Sequence, residues 1–476
     1  MDPDFFWHLK TGEWIWKNKS LPASDPFAYT TSMVLDERET FLMTSYWISQ
    51  LTYYFAYIAA GFHGIIVLRF FIISAFFFIL WKQQRDDKTI FFSLVLMFFI
   101  SLLEMYPIER PQIFSFLFFG ILILLLEKIK SNDQISSLIP MLGLPLLLLL
   151  WSNFHGGYLV GQFTLALYIL SEGIKQIHPS LVPLNRKMFR KLLIGCLFGI
   201  AFSFINPNTY HPLRVVLNAP AAFYTGNIEY KSSVEFLLNF KDYSIILNWF
   251  IMILTLSGII IAVKKTDLSH ILLLSGLGYV SFMQVRYMPF FLIAAIPLTC
   301  KNLSYSRHTG FWKSVCIIAA LSTALFFSIN EISKRKHITS GELIHNTLYP
   351  VEAVDFIIEN NLQGNMYNDI NWGGYLIWRL APERKVFIDG RNLNENVYFK
   401  AVAIENAYAG IWESLLESYN VNYIIVPFPR PDGSFPGFVN VLLKDSNWTL
   451  VFFRSNSMIF IRNMPANEYI IKKPSS

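Results

Sequence analysis

The chain has 476 residues, of which 54% are hydrophobic, 17% aromatic and only 15% charged, with a mean hydropathy of +0.41. This apolar content exceeds what the core of a soluble protein of that length requires, and it indicates a polytopic membrane protein. The formal net charge of +6 calls for no nucleic acid, because many of the basic residues lie in short loops between apolar runs and form no basic, aromatic stripe.

Residues 1–61 are predicted to form a first outer loop that carries an acidic motif and interfacial helices. The pattern predicts a short helix over 3–18, in which Asp4 and His8 lie four residues apart on one face. A carboxylate and an imidazole in this arrangement suit a divalent metal ion, Mg²⁺ or Mn²⁺, or a base that acts on a hydroxyl group. The alternative is a surface helix whose N-terminal aspartate favours the helix dipole.

Residues 62–333 are predicted to form a bundle of about ten transmembrane helices, since a hydrocarbon core about 30 Å thick needs roughly 20 apolar residues per helix. The predicted spans are 62–81, 90–106, 111–128, 137–153, 157–172, 191–206, 244–263, 268–285, 287–300 and 312–329. The aromatic stretch 47–61 is predicted to lie in the membrane interface.

Lysine and arginine are concentrated in alternate loops, and the positive-inside rule places those loops in the cytoplasm. The first 46 residues, the outer loop 207–243 and everything after 330 then lie outside, so both termini are extracytoplasmic. An outer N-terminus leads us to expect either a further helix upstream of Met1 or a natively short chain.

Ionisable side chains at the outer ends of the spans form a second group of candidates. Arg110, His155 and Arg286 fall at one membrane level, where they could clamp a phosphate or pyrophosphate. Glu229 in the outer loop could supply a second carboxylate, and both Glu229 and His8 are predicted to help bind the substrate or its phosphate. The alternative is a pair of snorkelling arginines, a hydrogen-bonded helix-end histidine and a solvated loop acid. Ionisable residues at membrane depth usually mark a site, however.

Residues 334–476 are predicted to form a small extracytoplasmic α/β domain. The pattern gives a helix over 350–360 and strands over 364–368, 385–389, 421–427, 448–454 and 457–462. Gly373 and Gly374 suit a tight turn, and the aromatic residues around them could stack on a sugar ring. The alternative is a buried aromatic core, with Asp389 and Arg391 paired at the end of a strand.

Several segments, taken in order, resemble bacterial GT-C-type membrane glycosyltransferases, and more narrowly the glycosyltransferase-like integral membrane proteins. They are Asp2-Pro3-Asp4-Phe5-Phe6-Trp7-His8, Ser24-Asp25-Pro26-Phe27, Arg110-Pro111-Gln112, Asn153-Phe154-His155-Gly156-Gly157, Asn206-Pro207, Arg286-Tyr287-Met288-Pro289, Gly373-Gly374-Tyr375-Leu376-Ile377-Trp378 and Phe387-Ile388-Asp389-Gly390-Arg391. The likeness runs over nearly the whole chain. The ordered set is fairly specific for the group, whereas no single segment is.

The resemblance implies a transferase that takes a sugar from a polyprenyl-phosphate donor to an envelope glycan, lipid or protein acceptor on the outer face of the bacterial inner membrane. It also implies an acidic residue in the first outer loop, which falls on Asp4, with Asp2 nearby and Asp25 as a second candidate. Two features depart from the family pattern. No helix precedes the acidic motif, and Ser45-Tyr46-Trp47-Ile48 replaces a Glu-Trp-Leu pattern.

The mechanism that we expect has Asp4 orient or deprotonate an acceptor hydroxyl, or hold a metal ion that does so, while Arg110, Arg286 and His155 neutralise the lipid phosphate. It requires both groups to meet in one pocket at the non-cytoplasmic rim. Aromatic residues within 5–16 and 47–57 would guide the polyprenyl tail. The alternative function is a noncatalytic or transport component of lipid-linked saccharide assembly. Transporters, however, often show repeated halves and midplane charges, and neither is visible in this sequence.

Overall fold

The computed structural model describes residues 2–31, 34–83, 87–105, 109–130, 138–178, 180–217, 228–240, 242–335, 348–427, 437–454 and 456–472. The predicted outer loop 207–243 therefore lies partly outside the described residues. The chain divides into two compact units: Met1–Phe62 together with Gly341–Ser476, and His63–Ser340. The first unit thus combines the predicted first outer loop with the predicted C-terminal domain.

The His63–Ser340 unit is helical, as its long apolar runs predict. Its first helix is the second half of α3 (Trp47–Gln83), which is kinked at Ala60 and Gly61, where Gly61 has a φ of +58°. The helices that follow are α4 (Lys88–Met105), α5 (Gln112–Lys130), α6 (Leu144–Phe154), α7 (Tyr158–Ile177), α8 (Arg186–Ser203), α9 (His211–Leu217), α10 (Ser233–Phe240), α11 (Ser244–Ile261), α12 (Leu268–Met283), α13 (Met288–Ser304) and α14 (Thr309–Arg335). A helix covers most or all of each predicted span.

Within the described residues, five helical stretches are long and apolar enough to cross a membrane. They lie in Glu37–Gln83, Lys88–Met105, Gln112–Lys130, Ser244–Ile261 and Thr309–Ile329. Two shorter apolar stretches are Ile139–Phe154, which begins with a π-helical turn, and Leu268–Met283. The prediction of a mainly helical membrane protein is supported, and the count of about ten crossings stays a prediction.

Small and polar residues hold the helices of this unit together. A Cβ on Gly195 of α8 would collide with the Pro140 carbonyl, so these two segments approach at backbone distance. Thr255 and Thr299 share a hydrogen bond of 2.8 Å between α11 and α13. Such contacts are typical of helix pairs in a membrane. An apolar side chain gains little there by leaving lipid for another helix, so close packing and hydrogen bonds hold the helices together.

The other unit contains α1 (Pro3–Asn18), α2 (Glu37–Thr44), the first half of α3 and a four-stranded sheet. Its strands are β1 (Asn365–Asn368), β2 (Val421–Pro427), β3 (Trp448–Arg454) and β4 (Ser457–Arg462), in the order β1-β2-β4-β3, with β1 and β2 parallel and the other pairs antiparallel. The remaining helices are α15 (Val351–Glu359), α16 (Gly373–Leu380), α17 (Glu395–Glu405), α18 (Ile411–Ser418), α19 (Gly437–Leu442) and α20 (Glu468–Ile471). The predicted small sheet with flanking helices is observed.

The strand predicted over 385–389 is wrong. Val386 forms one isolated bridge with Ala28, and its backbone bonds go to Phe27 and Tyr29 of the N-terminal segment. The Asn368 side chain accepts from the Phe387 N–H at 2.8 Å and donates to the Ile388 carbonyl at 2.8 Å. This apolar run is therefore a buried core segment whose backbone groups find partners outside a sheet.

The tight turn predicted at Gly373 and Gly374 is also wrong, because both residues lie in the first turn of α16. A Cβ on Gly374 would collide with the Pro3 carbonyl, and one on Gly373 would collide with the Ile388 carbonyl. The two glycines allow α16 to approach α1 and the 388–389 backbone closely. Both glycines thus serve close packing, Gly374 against a segment far away in the sequence and Gly373 against one nearby.

Candidate functional site

The acidic motif forms the N-terminus of α1. The Asp2 side chain accepts the Asp4 N–H at 2.9 Å, and Pro3 occupies the first helical turn, where its missing N–H costs nothing. Asp2 is therefore a helix cap. Asp4, in the first turn, is partly exposed, and its negative charge suits the helix N-terminus.

Gly390 lies directly against the Asp4 carboxylate. A Cβ built on Gly390 would collide with Asp4 Oδ1, so the absence of a side chain at this position leaves the carboxylate room to lie where it does. The backbone at Gly390 thus lies in contact with the Asp4 side chain. The sequence placed Gly390 in a family-like segment but gave no sign that it contacts Asp4.

For the transferase that the sequence resemblance implies, replacing Gly390 with alanine should displace the Asp4 carboxylate and lower sugar transfer at least about tenfold, because misplacement of a catalytic group by about 1 Å is costly. Gly437→Ala is the matched control, since its Cβ would meet nothing within 4 Å. Sugar transfer by the two purified variants should be compared at a temperature at which both proteins are fully folded. Equal transfer by both variants would show that contact with Gly390 does not position Asp4.

His8 is buried in the unit that contains the sheet, with 3% of its surface exposed. Its Nδ1 lies 3.3 Å from Gln50 Nε2, its ring lies 3.5 Å from the Trp7 ring, and Tyr46 packs edge-on at 5.1 Å. The amide and the two rings fix the imidazole plane. His8 therefore fits a positioning role better than direct contact with a phosphate.

The described residues do not fit a resident metal ion at Asp4 and His8. Within them, no group of three or more histidine, cysteine, aspartate or glutamate side chains could hold such an ion. One ring nitrogen of His8 already faces the Gln50 amide. A histidine is also a less suitable ligand for Mg²⁺ and Mn²⁺ than oxygen-bearing side chains are. We assign no step to a metal ion.

Asp25 belongs to a buried charge cluster with Arg391 and Asp389. The Arg391 guanidinium donates to both Asp25 oxygens at 3.0 Å and to both Asp389 oxygens at 2.7 and 2.6 Å, and each of these side chains is at most 4% exposed. Burial alone would lower the pKa of Arg391, but the two carboxylates raise it. Both oxygens of Asp25 are committed to Arg391, so Asp25 joins the N-terminal segment to the 389–391 loop.

Many of the predicted lipid-guiding or sugar-stacking aromatic residues are core residues. Phe5, Phe6 and Tyr375 are fully buried, and Phe6 packs edge-on against Tyr375 at 5.3 Å. Exposed aromatic surface remains at Trp16 and Phe55, whose rings lie 4.9 Å apart. This pair, rather than the whole 5–16 stretch, is suited to contact a lipid tail.

In the helical unit, His155 lies just beyond the end of α6 and is 7% exposed. Ser115 Oγ lies 2.7 Å from His155 Nδ1 and accepts from Trp151 Nε1 at 2.7 Å, while the Gly157 N–H donates to the same Nδ1 at 2.9 Å. Since Nδ1 accepts from the Gly157 N–H, the neutral His155 ring carries its proton on Nε2. Burial, followed by the nearby Arg286 charge, lowers the pKa of His155 to about 3, so the ring is a neutral Nε2–H donor at pH 7.

Arg110, Glu229 and Arg286 are brought together by the short 3₁₀ turn Ile228–Tyr230. Arg110 Nη1 donates to Glu229 Oε1 at 2.9 Å, and the guanidinium of Arg286 lies 4.4 Å from the centre of the Tyr230 ring. The Val285 N–H donates to the Lys231 carbonyl at 3.1 Å and fixes the turn beside Arg286. We call Arg110, Glu229, Tyr230 and Arg286 the arginine cluster. Glu229 orients Arg110. Because Glu229 is negatively charged, its own carboxylate is not suited to contact a phosphate.

Two contributors escaped the sequence interpretation. Arg69 of α3 donates to Glu109 at 2.8 Å, next to Arg110, and its position inside an apolar span was a signal that could have found it. Ser115 orients His155, but a serine in an apolar helix carries no comparable signal. The Arg286 charge acts on His155. The helical unit therefore contains four of the five residues predicted to bind the substrate or its phosphate, Arg110, His155, Arg286 and Glu229, whereas His8 belongs to the other unit.

No protein-family model and no curated protein matches the chain. Among solved structures, it is similar to the archaeal oligosaccharyltransferase AglB from Archaeoglobus fulgidus, in complex with an inhibitory peptide and a dolichol-phosphate. The TM-score is 0.51 at 11% sequence identity, and the match covers 90% of this chain and 65% of AglB. The chain therefore spans somewhat less than two thirds of the length of AglB. At this identity the likeness shows a shared fold, in agreement with the fold that the sequence resemblance implied.

Proposed function

We propose that this protein is a membrane glycosyltransferase that moves a sugar from a polyprenyl-phosphate donor to an acceptor hydroxyl on the non-cytoplasmic face of the membrane. The observation that carries the proposal is the assembly of Arg110, Arg286 and His155 in one unit. Guanidinium groups and a neutral N–H donor are the groups that stabilise a departing phosphate. The shared fold with an oligosaccharyltransferase supports the same reaction class.

The reaction that we propose is a single displacement. The acceptor oxygen forms a bond with the anomeric carbon while the bond between that carbon and the phosphate oxygen breaks, and the lipid phosphate leaves with the electron pair. Asp4 orients the hydroxyl and receives its proton. The configuration at the anomeric carbon is inverted as a result.

The phosphate contacts are assigned to Arg110, Arg286 and the His155 Nε2–H. Tyr230 stacks on the face of Arg286, and a guanidinium held in this way directs its N–H donors in its own plane. Glu229 and Ser115 are positioning residues, the former for Arg110 and the latter for His155. Asp2 and Asp25 position the N-terminal segment that carries Asp4.

Replacing Arg286 with glutamine should lower transfer about 10² to 10³-fold, the usual cost of removing one donor to a developing negative charge. Arg190→Gln, at an exposed site on α8, is the control with the same charge change. Purified proteins would be incubated with radiolabelled polyprenyl-phosphate sugar and membrane acceptors. Unchanged transfer by Arg286→Gln would contradict the phosphate assignment. Wild-type protein that binds the donor without moving label would favour the noncatalytic alternative.

A further inference from the structure

A second polar site lies at the other end of the helical unit, in a cavity of about 900 Å³ between α3, α5, α7, α12 and α13. Five lysines line it: Lys82, Lys128, Lys130, Lys265 and Lys301. We call it the lysine-lined cavity. Helix α5 begins at Gln112 beside the arginine cluster and ends at Lys130 in the cavity, a rise of roughly 27 Å. The two sites are therefore distinct.

The cavity has an excess of positive charge, because its lining contains two carboxylates, Glu127 and Asp267, against five lysines. Both carboxylates are engaged. Glu127 lies 2.7 Å from His270 Nε2 and accepts from the Tyr168 hydroxyl at 3.2 Å. Asp267 pairs with Lys130 and Lys175, each at 2.9 Å.

Three lysines of the lining have no carboxylate beside them. Within the described part of the chain, no aspartate or glutamate lies within ion-pair distance of Lys82, Lys265 or Lys301. Lys265 lies 4.0 Å from the centre of the Tyr305 ring, and Lys82 lies 5.2 Å from that of Phe78. Aromatic faces hold ammonium groups in place without neutralising them.

The walls of the same cavity are apolar. Ile123, Leu124, Leu273 and Leu298 line it together with Ala294 and Pro297. Inorganic phosphate needs cationic donors but no hydrocarbon surface, and it is far smaller than the space available. A phosphate group attached to a hydrocarbon chain satisfies both parts of the lining, since basic pockets between transmembrane helices suit anionic lipid headgroups.

We propose that the lysine-lined cavity binds the phosphate headgroup of an anionic membrane lipid, with its first methylenes against the apolar walls. Lys82, Lys265 and Lys301 contact the phosphate oxygens, while Lys130 remains paired with Asp267. By the positive-inside rule this end of the bundle faces the cytoplasm, where anionic lipid is accessible to it.

The test measures lipid binding to the full-length protein in detergent by native mass spectrometry, with phosphatidylglycerol, phosphatidylcholine, polyprenyl phosphate and inorganic phosphate as separate probes. The triple variant Lys82→Gln, Lys265→Gln, Lys301→Gln should bind phosphatidylglycerol at least about tenfold more weakly than wild type. Lys187→Gln, Lys191→Gln, Lys264→Gln changes the charge equally outside the cavity lining and should bind as wild type does. The corresponding triple arginine variant should retain binding, which separates lost charge from misfolding.

Preference for phosphatidylglycerol over phosphatidylcholine that depends on the three lysines supports the proposal and identifies a phospholipid as the source. The same dependence with polyprenyl phosphate alone also supports it and identifies the carrier lipid. The proposal would be overturned if neither phosphatidylglycerol nor polyprenyl phosphate binds more tightly than phosphatidylcholine. A free-phosphate affinity equal to that of the lipids, or full binding by the triple glutamine variant, would also overturn it.

Discussion

Asp4→Asn should reduce sugar transfer by about 10² to 10⁴-fold, the range that a positioned general base contributes. Asparagine keeps the size of the aspartate side chain and its fit against Gly390, but it cannot accept the proton of the acceptor hydroxyl. The change should leave donor binding intact, because the phosphate contacts are assigned to Arg110, Arg286 and His155. Initial rates over a range of donor concentrations would separate a loss of kcat from a change in KM.

A structural role for Asp4 predicts a different result. Loss of a carboxylate from the first turn of a helix costs about 0.3–1 kcal/mol, so a purely structural Asp4 would give a slightly less stable protein with normal transfer. Asp2→Asn is the matched control, since asparagine is an equally good helix cap. If Asp4→Asn keeps wild-type kcat, the assignment of Asp4 as the base is wrong.

Arg391→Met should destabilise the protein by about 3–5 kcal/mol, because it leaves Asp25 and Asp389 buried without their cation. The same change removes the guanidinium stacked 5.5 Å from Phe27 and 6.0 Å from Trp7. The full-length protein would be heated in detergent and the folded fraction followed by size-exclusion chromatography. Tryptic cleavage at Lys19, next to the N-terminal loop, should become faster.

Arg379→Met is the control for this prediction. Arg379 donates to Asp355 at 2.6 Å, but the Asp355 side chain is 47% exposed, and an exposed pair contributes about 0–1 kcal/mol. Both variants remove a guanidinium group, Arg391→Met from between two buried carboxylates and Arg379→Met from one half-exposed carboxylate. Equal loss of thermal stability would show that the Asp25–Arg391–Asp389 cluster does not hold the N-terminal segment in place.

Local patterns in the sequence predicted the elements of the fold well. Pro3–Asn18 is helical as predicted, and four of the five predicted strands are present near their predicted bounds. These elements depend on periodicity, caps and apolar runs, which the sequence displays directly. The strand at 385–389 failed because its backbone partners, Phe27 and Asn368, lie far away in the sequence.

The candidate site was predictable in its residue types but not in its pairings. The position of Arg110, His155 and Arg286 at span ends indicated a shared membrane level. The structure brings the three residues together in the helical unit. Nothing local indicated that Asp25 pairs with Arg391, 366 residues further on, or that Gly390 contacts Asp4. Such contacts follow from tertiary packing, which a single sequence does not display. That Asp4 and the arginine cluster act on one substrate stays a prediction.

The most direct measurement follows both products of the reaction in one assay of the purified wild-type protein. With a polyprenyl-phosphate sugar labelled in the sugar and in the phosphate, each sugar that reaches the acceptor should be matched by one released polyprenyl phosphate. The Asp4→Asn and Arg286→Gln variants should form both products far more slowly than the wild-type protein. A donor that is bound but recovered intact, with its sugar still attached in the presence of competent acceptor, would contradict the proposed transferase.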